Sequence, residues 1–245
     1  MALVPDRGCS RSWEIRSGSA VLPADLDLPP HPAGLVLLCH SEAGRRLDPG
    51  ERFLGHALVH AGLGTLHFDL LSEEEEALDH RTGRLRFDVP FLAGRLEAAI
   101  ERAAFDPETE HLPIGLFGTG TAGAAALSVA GRWGEIVDAV VIRSGRPDLA
   151  QRSLRTVTAD TLLIVGENDP WVLERNREAL ERMHGHRYLY VVAGASHRFE
   201  EPGTLDAAAR AGVSWIRRAF LERRPPTPPA GSEAAREIRT KGGSP

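Results

Sequence analysis

The sequence predicts an α/β fold, with a mostly parallel central sheet and helices on both faces. Three observations carry this. Short unbroken apolar runs such as Gly34-Leu35-Val36-Leu37-Leu38-Cys39 have the character of strands buried on both sides. Segments with helical spacing alternate with those runs along the chain, as strand–helix–strand units require. The 245 residues are 42% hydrophobic, which is enough for one full-sized domain with a substantial core.

Taken in order, Ser12–Arg16 and Ala20–Leu28 alternate in polarity around Ser17-Gly18-Ser19 and predict an antiparallel opening hairpin. The buried run ending at Cys39 follows, and His40-Ser41-Glu42-Ala43-Gly44 is a polar loop. Glu51–Ala61 has helical spacing, with Phe53, Leu54, Ala57 and Leu58 on one face and Gly62 as its stop. Thr65–Leu70 is a strand. Ser72 before four glutamates is an N-cap with acids in the first helical turn, where the macrodipole favours them. The segment from His80 to Asp88 is expected to be irregular. A helix over Pro90–Ala104 buries Phe91, Leu92, Leu96, Ala99 and Ile100. Strands are then expected at Ile114–Phe117, Val137–Ile142, Thr161–Val165 and Tyr188–Val192. Helices are expected over the Ala-rich stretch after Gly120, over Trp171–Met183 and over Leu205–Leu221. The domain organisation is therefore an N-terminal extension (1–11), one α/β domain (12–222) and a Pro-rich disordered tail (223–245).

The formal net charge is −5, and the tail itself holds five Lys/Arg against two Glu, so the body is the more acidic part. That argues against a nucleic-acid partner. No apolar stretch is long enough to span a bilayer, and the N-terminus lacks the basic-then-apolar order of a signal peptide. A cytoplasmic protein with a small-molecule ligand, and with no cofactor, metal or membrane partner, is the expectation. Cys9 and Cys39 do not form a disulfide framework, and Cys39 sits in an apolar run as a buried thiol.

Chemistry in such sheets gathers in the loops beyond the strand C-termini. Those loops carry His40-Ser41, the turn Gly118-Thr119-Gly120-Thr121-Ala122-Gly123, Arg143–Asp148, Asn168-Asp169 and Ser196-His197. The turn has two readings. Gly118, Gly120 and Gly123 match the dinucleotide pattern G-x-G-x-x-G, which implies an NADP-binding oxidoreductase as the alternative function. Gly118 and Ala122 also frame a nucleophile elbow, G-x-S-x-G, with Gly120 at its centre. An acid after one late strand and a histidine after the next, Asp169 and His197, favour the second reading, because a buried carboxylate fixes the imidazole tautomer in a triad.

Several stretches, in order, resemble the dienelactone-hydrolase-like branch of the α/β-hydrolases. They are Gly115-Leu116-Phe117-Gly118, Arg143-Ser144-Gly145-Arg146-Pro147-Asp148-Leu149, Leu162–Pro170, and Gly194-Ala195-Ser196-His197-Arg198-Phe199. The resemblance covers nearly all of Ser12–Leu221. It implies an α/β-hydrolase fold, with Asp169 as triad acid, His197 as base, and the amides of Ser41 and Thr121 as oxyanion hole. The family carries serine or cysteine where this chain has Gly120, so covalent acyl transfer at that position is excluded. The expectation is a weak or lost hydrolase that acts on or binds a small ester-like or anionic molecule. Thr119 and Thr121 flank Gly120. Their β-branch suits the strained nucleophile conformation poorly, and both read as capping or packing residues, with a threonine nucleophile as the lesser alternative. His40, Arg143 and Arg146 are the candidate substrate-binding residues; the two arginines suit a carboxylate or phosphate, or else pair with neighbours such as Asp148.

Overall fold

The computed structural model describes residues 8–222, so the expected tail over 223–245 and the first seven residues of the expected extension lie outside the described residues. Eight strands form one sheet in the order β1-β2-β4-β3-β5-β6-β7-β8. They are β1 (Cys9–Ser17), β2 (Ala20–Leu28), β3 (Leu35–His40), β4 (Gly64–Asp69), β5 (Ile114–Thr119), β6 (Val137–Arg143), β7 (Asp160–Gly166) and β8 (Arg187–Val192). The pairs β1/β2 and β2/β4 are antiparallel, and every other pair is parallel. The four apolar runs lie side by side as β3, β5, β6 and β7. Residues 9–11, expected in the extension, instead pair with Leu26–Leu28 as the start of β1.

Side chains alternate across each strand, and two cores result. Leu35, Leu37, Cys39, Leu116, Val140 and Ile142 join α3 (Val89–Ala104) and α4 (Ala122–Ala130) on one face. Val36, Leu38, Phe117, Val141 and Ile164 join α1 (Pro49–His60) and α6 (Thr204–Glu222) on the other. Both faces of the parallel strands are covered, which is why those strands read as continuous apolar runs.

Helix α1 is rotated relative to its expected face. Leu54, Gly55 and Leu58 are buried together with Glu51, whereas Phe53 is 42% exposed. Helix α2 (Glu73–Thr82) opens with the expected cap, now seen as a full capping box: Ser72 Oγ accepts from the Glu75 amide and the Glu75 carboxylate accepts from the Ser72 amide. The stretch expected to be irregular from His80 is instead the end of α2 and a short 3₁₀ turn at Leu85–Phe87. Buried Asp79 organises it by accepting from the Leu85 amide and from Arg86, which also reaches Glu42 at 3.1 Å and Glu76 at 3.3 Å. Helix α5 (Pro170–Arg182) follows β7 directly.

Candidate functional site

The sharpest turn in the sheet lies between β5 and α4. Gly120 sits there at φ +64°, in the left-handed region, and its carbonyl accepts from the Gly123 and Arg146 amides. Gly118 is needed for close approach: a Cβ there would stand 2.8 Å from Gly123 Cα. A Cβ on Gly120 would meet nothing nearer than Ser41 Oγ at 3.9 Å. Gly123 packs against Ile142, 2.4 Å from where its own Cβ would be. Strand-to-helix packing therefore accounts for Gly118 and Gly123, and the left-handed backbone for Gly120, so the G-x-G-x-x-G pattern has a local structural basis.

Asp169 is the N-cap of α5, with one carboxylate oxygen accepting from the Val172 amide and Pro170 at the first helical position. Its other oxygen accepts from His197 Nδ1 at 2.6 Å. This bond fixes the tautomer and leaves the opposite ring nitrogen as the basic one. The loop bearing His197 is held from two sides. The Ser196 amide donates to Glu201, and Ser144 Oγ donates to the His197 carbonyl at 2.6 Å. Ser144 is a non-glycine residue at φ +48° and is almost fully buried.

A cavity of about 600 Å³ joins His40, Ser41, Glu51, Thr119, Gly120, Arg143, Ser144, His197 and Phe199. The structure thus brings together His40, Ser41, Gly120, Arg143 and His197 in one cavity, with Asp169 behind the histidine. Thr121 stands at the N-cap position of α4 next to the elbow, not on the cavity wall, and its buried side chain makes no capping bond. Among the described residues neither the Ser41 nor the Thr121 amide meets an acceptor. Arg146 stands apart from the cavity: it forms two bonds to Asp148, at 2.9 and 2.8 Å, and lies over the Trp171 ring. Of its two readings, the local ion pair is the one the geometry realises.

Two buried pairs beneath the cavity were not foreseen. Arg143 is bonded to Glu51, and both are at least 95% buried; the guanidinium also lies 5.6 Å from the Phe199 ring centre. His40 and His67 share a 2.8 Å bond between their Nε2 atoms. Such a bond requires one ring to donate and the other to accept, so the pair cannot carry two protons there. Burial pushes both imidazoles down to about 3, reinforced by Arg143 for His40 and by His40 itself for His67. Asp69 runs the other way: burial raises it to about 6, although it accepts from the Gly44 and Arg46 amides. Cys39 is fully buried and its thiol is pushed up to about 12, so it is inert.

These groups predict an acid-sensitive fold. Below pH 6.5 the unfolded chain protonates both histidines while the folded chain excludes both protons. Asp69 offsets one of them, because the folded state takes up its proton first, between about 6 and 3.8. The net uptake on unfolding is about one proton, so stability falls by about 1.4 kcal/mol per pH unit between about pH 6 and 4. Urea unfolding at pH 7 and pH 5 reads this directly, and His67→Gln flattens the slope. Equal or greater stability at pH 5 contradicts it.

Among the described residues no group of three or more His, Cys, Asp or Glu side chains is placed to hold a metal ion, and no helix is long and apolar enough to cross a membrane.

With this geometry in place, comparison with known proteins is informative. Residues 68–220 match the Dienelactone hydrolase family. A dienelactone hydrolase from Anabaena variabilis is 42% identical, superposes with a TM-score of 0.82, and is matched over 86% of this chain and 98% of its own. Est1E from Butyrivibrio proteoclasticus, at 15% identity and a TM-score of 0.71 over 86% of this chain and 99% of its own, shares the fold. Two Mycobacterium tuberculosis proteins that carry the provisional name phosphoribosyl transferase are 42% identical over 203 residues, 83% of this chain. This chain spans only 45% of their length. The family match runs from β4 through the elbow and the Asp169 and His197 loops into the last turn of α6, and the 42% identity to the Anabaena protein exceeds fold-level likeness; on that ground the chain belongs to the dienelactone hydrolase family.

Proposed function

We propose that the cavity beside Gly120 binds a small ester-like molecule and hydrolyses it slowly, by direct attack of water instead of through a covalent intermediate. The observation that carries this is the 2.6 Å bond from His197 Nδ1 to Asp169, in a cavity whose elbow has no side chain. The free ring nitrogen of His197 takes a proton from water as the water oxygen bonds to the ester carbonyl carbon. The oxyanion so formed is stabilised by the amide of Ser41 on the cavity wall, and by that of Thr121, which adjoins Gly120 at the start of α4. Collapse breaks the carbon–alkoxide bond, and the departing oxygen takes the proton back from His197. A triad enzyme without its nucleophile keeps roughly 10³–10⁴-fold catalysis over water from the oxyanion hole and binding, so weak turnover needs no serine.

The anionic alternative is less well supported, because Arg143 is committed to Glu51 and Arg146 to Asp148. The transferase name of the mycobacterial relatives belongs to proteins about twice as long, and the same pairing leaves neither arginine free for a phosphate. The test is hydrolysis of 4-nitrophenyl acetate with mass spectrometry after fluorophosphonate treatment. The unmodified protein is expected to show slow turnover without a burst and no adduct, and His197→Ala to fall to the buffer rate. An adduct mapped to Thr119 or Thr121, or a His197→Ala variant as active as its parent, rejects the mechanism.

A further inference from the structure

Granting that the cavity at Gly120 is the reaction site, we propose that its ligand is an uncharged ester carrying free hydroxyl groups, of the glycerol or sugar ester class, seated by Glu51, Arg143 and Thr119. Every arginine on the cavity wall is already paired. Arg45 faces Asp48 at 3.4 Å and Glu51 at 3.6 Å, Arg143 is bonded to Glu51, and Arg198 faces Glu200 at 3.7 Å. Two further carboxylates on the wall are also engaged, Glu42 with Arg86 and Glu201 with the Ser196 amide. An anionic ligand therefore meets more carboxylates than cations, and each of those cations already faces a carboxylate. A cationic ligand finds each wall carboxylate already engaged through at least one oxygen.

The buried floor is a different matter. His40, Thr119 and Arg143 stand in register across β3, β5 and β6, and Glu51 covers them from α1. There, Glu51 Oε2, Arg143 Nε and Thr119 Oγ1 are buried with no hydrogen-bond partner among the described residues. Glu51 Oε2 is 4.0 Å from His40 Nε2, whose own bond goes to His67. The floor thus holds an unpaired acceptor, an unpaired donor and a hydroxyl that is both, on three residues that line the cavity. A hydroxyl group donates and accepts at once and satisfies this set; a carboxylate only accepts, and a quaternary ammonium does neither. A site with buried polar groups of this kind rejects an analogue that lacks the hydroxyl, because the groups are then left unpaired.

The experiment uses the full-length Gly120→Ser protein, whose expected rates are high enough to compare. Release of acid is followed by pH-stat for glycerol monoacetate, methyl glycolate, ethyl acetate, monoethyl succinate and acetylcholine, each normalised to its hydroxide-catalysed rate. The two hydroxylated esters are expected to exceed ethyl acetate in kcat/KM by about tenfold or more, with the anionic and cationic esters below it. Adding Glu51→Gln is expected to bring the ratio of hydroxylated to plain ester to within about threefold. Should that variant fail to fold, Thr119→Val reads the same ratio. Equal rates for hydroxylated and plain esters, or a preference for the succinate or choline ester, overturn the proposal while leaving the reaction site standing. A folded Gly120→Ser protein inert on the whole panel overturns the reaction site itself, and this ligand class with it.

Discussion

Gly120→Ser is expected to raise hydrolysis of 4-nitrophenyl acetate by roughly 10³-fold or more, the scale set by the loss when a nucleophile is deleted from a working triad. The elbow is already shaped for it. Residue 120 holds φ +64°, the neighbouring Gly118 gives the close approach to Gly123, and a Cβ has open space up to Ser41 Oγ at 3.9 Å. The base is in place with its tautomer fixed by Asp169. A serine hydroxyl would split the difficult step in two by forming an acyl-enzyme, so a burst phase and a fluorophosphonate adduct at residue 120 should appear together. Adding His197→Ala should abolish both. A Gly120→Ser protein that folds, keeps its cavity and shows neither gain nor adduct would mean that the remaining geometry no longer serves acyl transfer.

The second large effect is on stability. Arg143→Met is expected to destabilise the fold by about 3–5 kcal/mol, because it leaves the Glu51 carboxylate buried against an apolar side chain. Glu51 and Arg143 are 2% and 4% exposed, so solvent screens the loss little. The double variant Glu51→Leu/Arg143→Met should recover most of the loss, since replacing both members of a buried pair by apolar groups is often neutral. Urea unfolding reads both, with the midpoint moving at constant m. A single variant that costs under about 1 kcal/mol, or a double variant less stable than the single one, would show that the pair is not an energetic unit.

The sheet was legible in the sequence because parallel strands buried on both faces leave long apolar runs, and β3, β5, β6 and β7 all have them. Asp169 and His197 were legible for a related reason: Asp169 lies just past the buried run of β7 and His197 in the loop after the neighbouring edge strand β8, so strand order alone put them at the same end of the sheet. The pairs beneath the cavity were not, because they join residues far apart in the chain. His40 and His67 are 27 residues apart, and Glu51 and Arg143 are 92 apart. Glu51 did leave a trace, since it stands three and seven residues before Leu54 and Leu58 and so shares their buried face. Its charge adds nothing to an apolar period, so the expected face runs through Phe53 and Ala57 instead of Glu51 and Gly55. The segment around Leu85 looked irregular because its order comes from Asp79 and Arg86, a polar hub that no apolar period records.

The bond from Ser144 to the His197 carbonyl ties the base to β6, while Asp169 ties it to β7. Nothing in that arrangement leans on a side chain at residue 120. Glycine also suits a backbone at φ +64° better than serine, which would be strained there by about 1–3 kcal/mol. The elbow can therefore exchange serine for glycine without disturbing its neighbours, and the chain becomes more robust for it. The proposed base is in that sense positioned by the strands beneath it, independently of whatever side chain stands at residue 120.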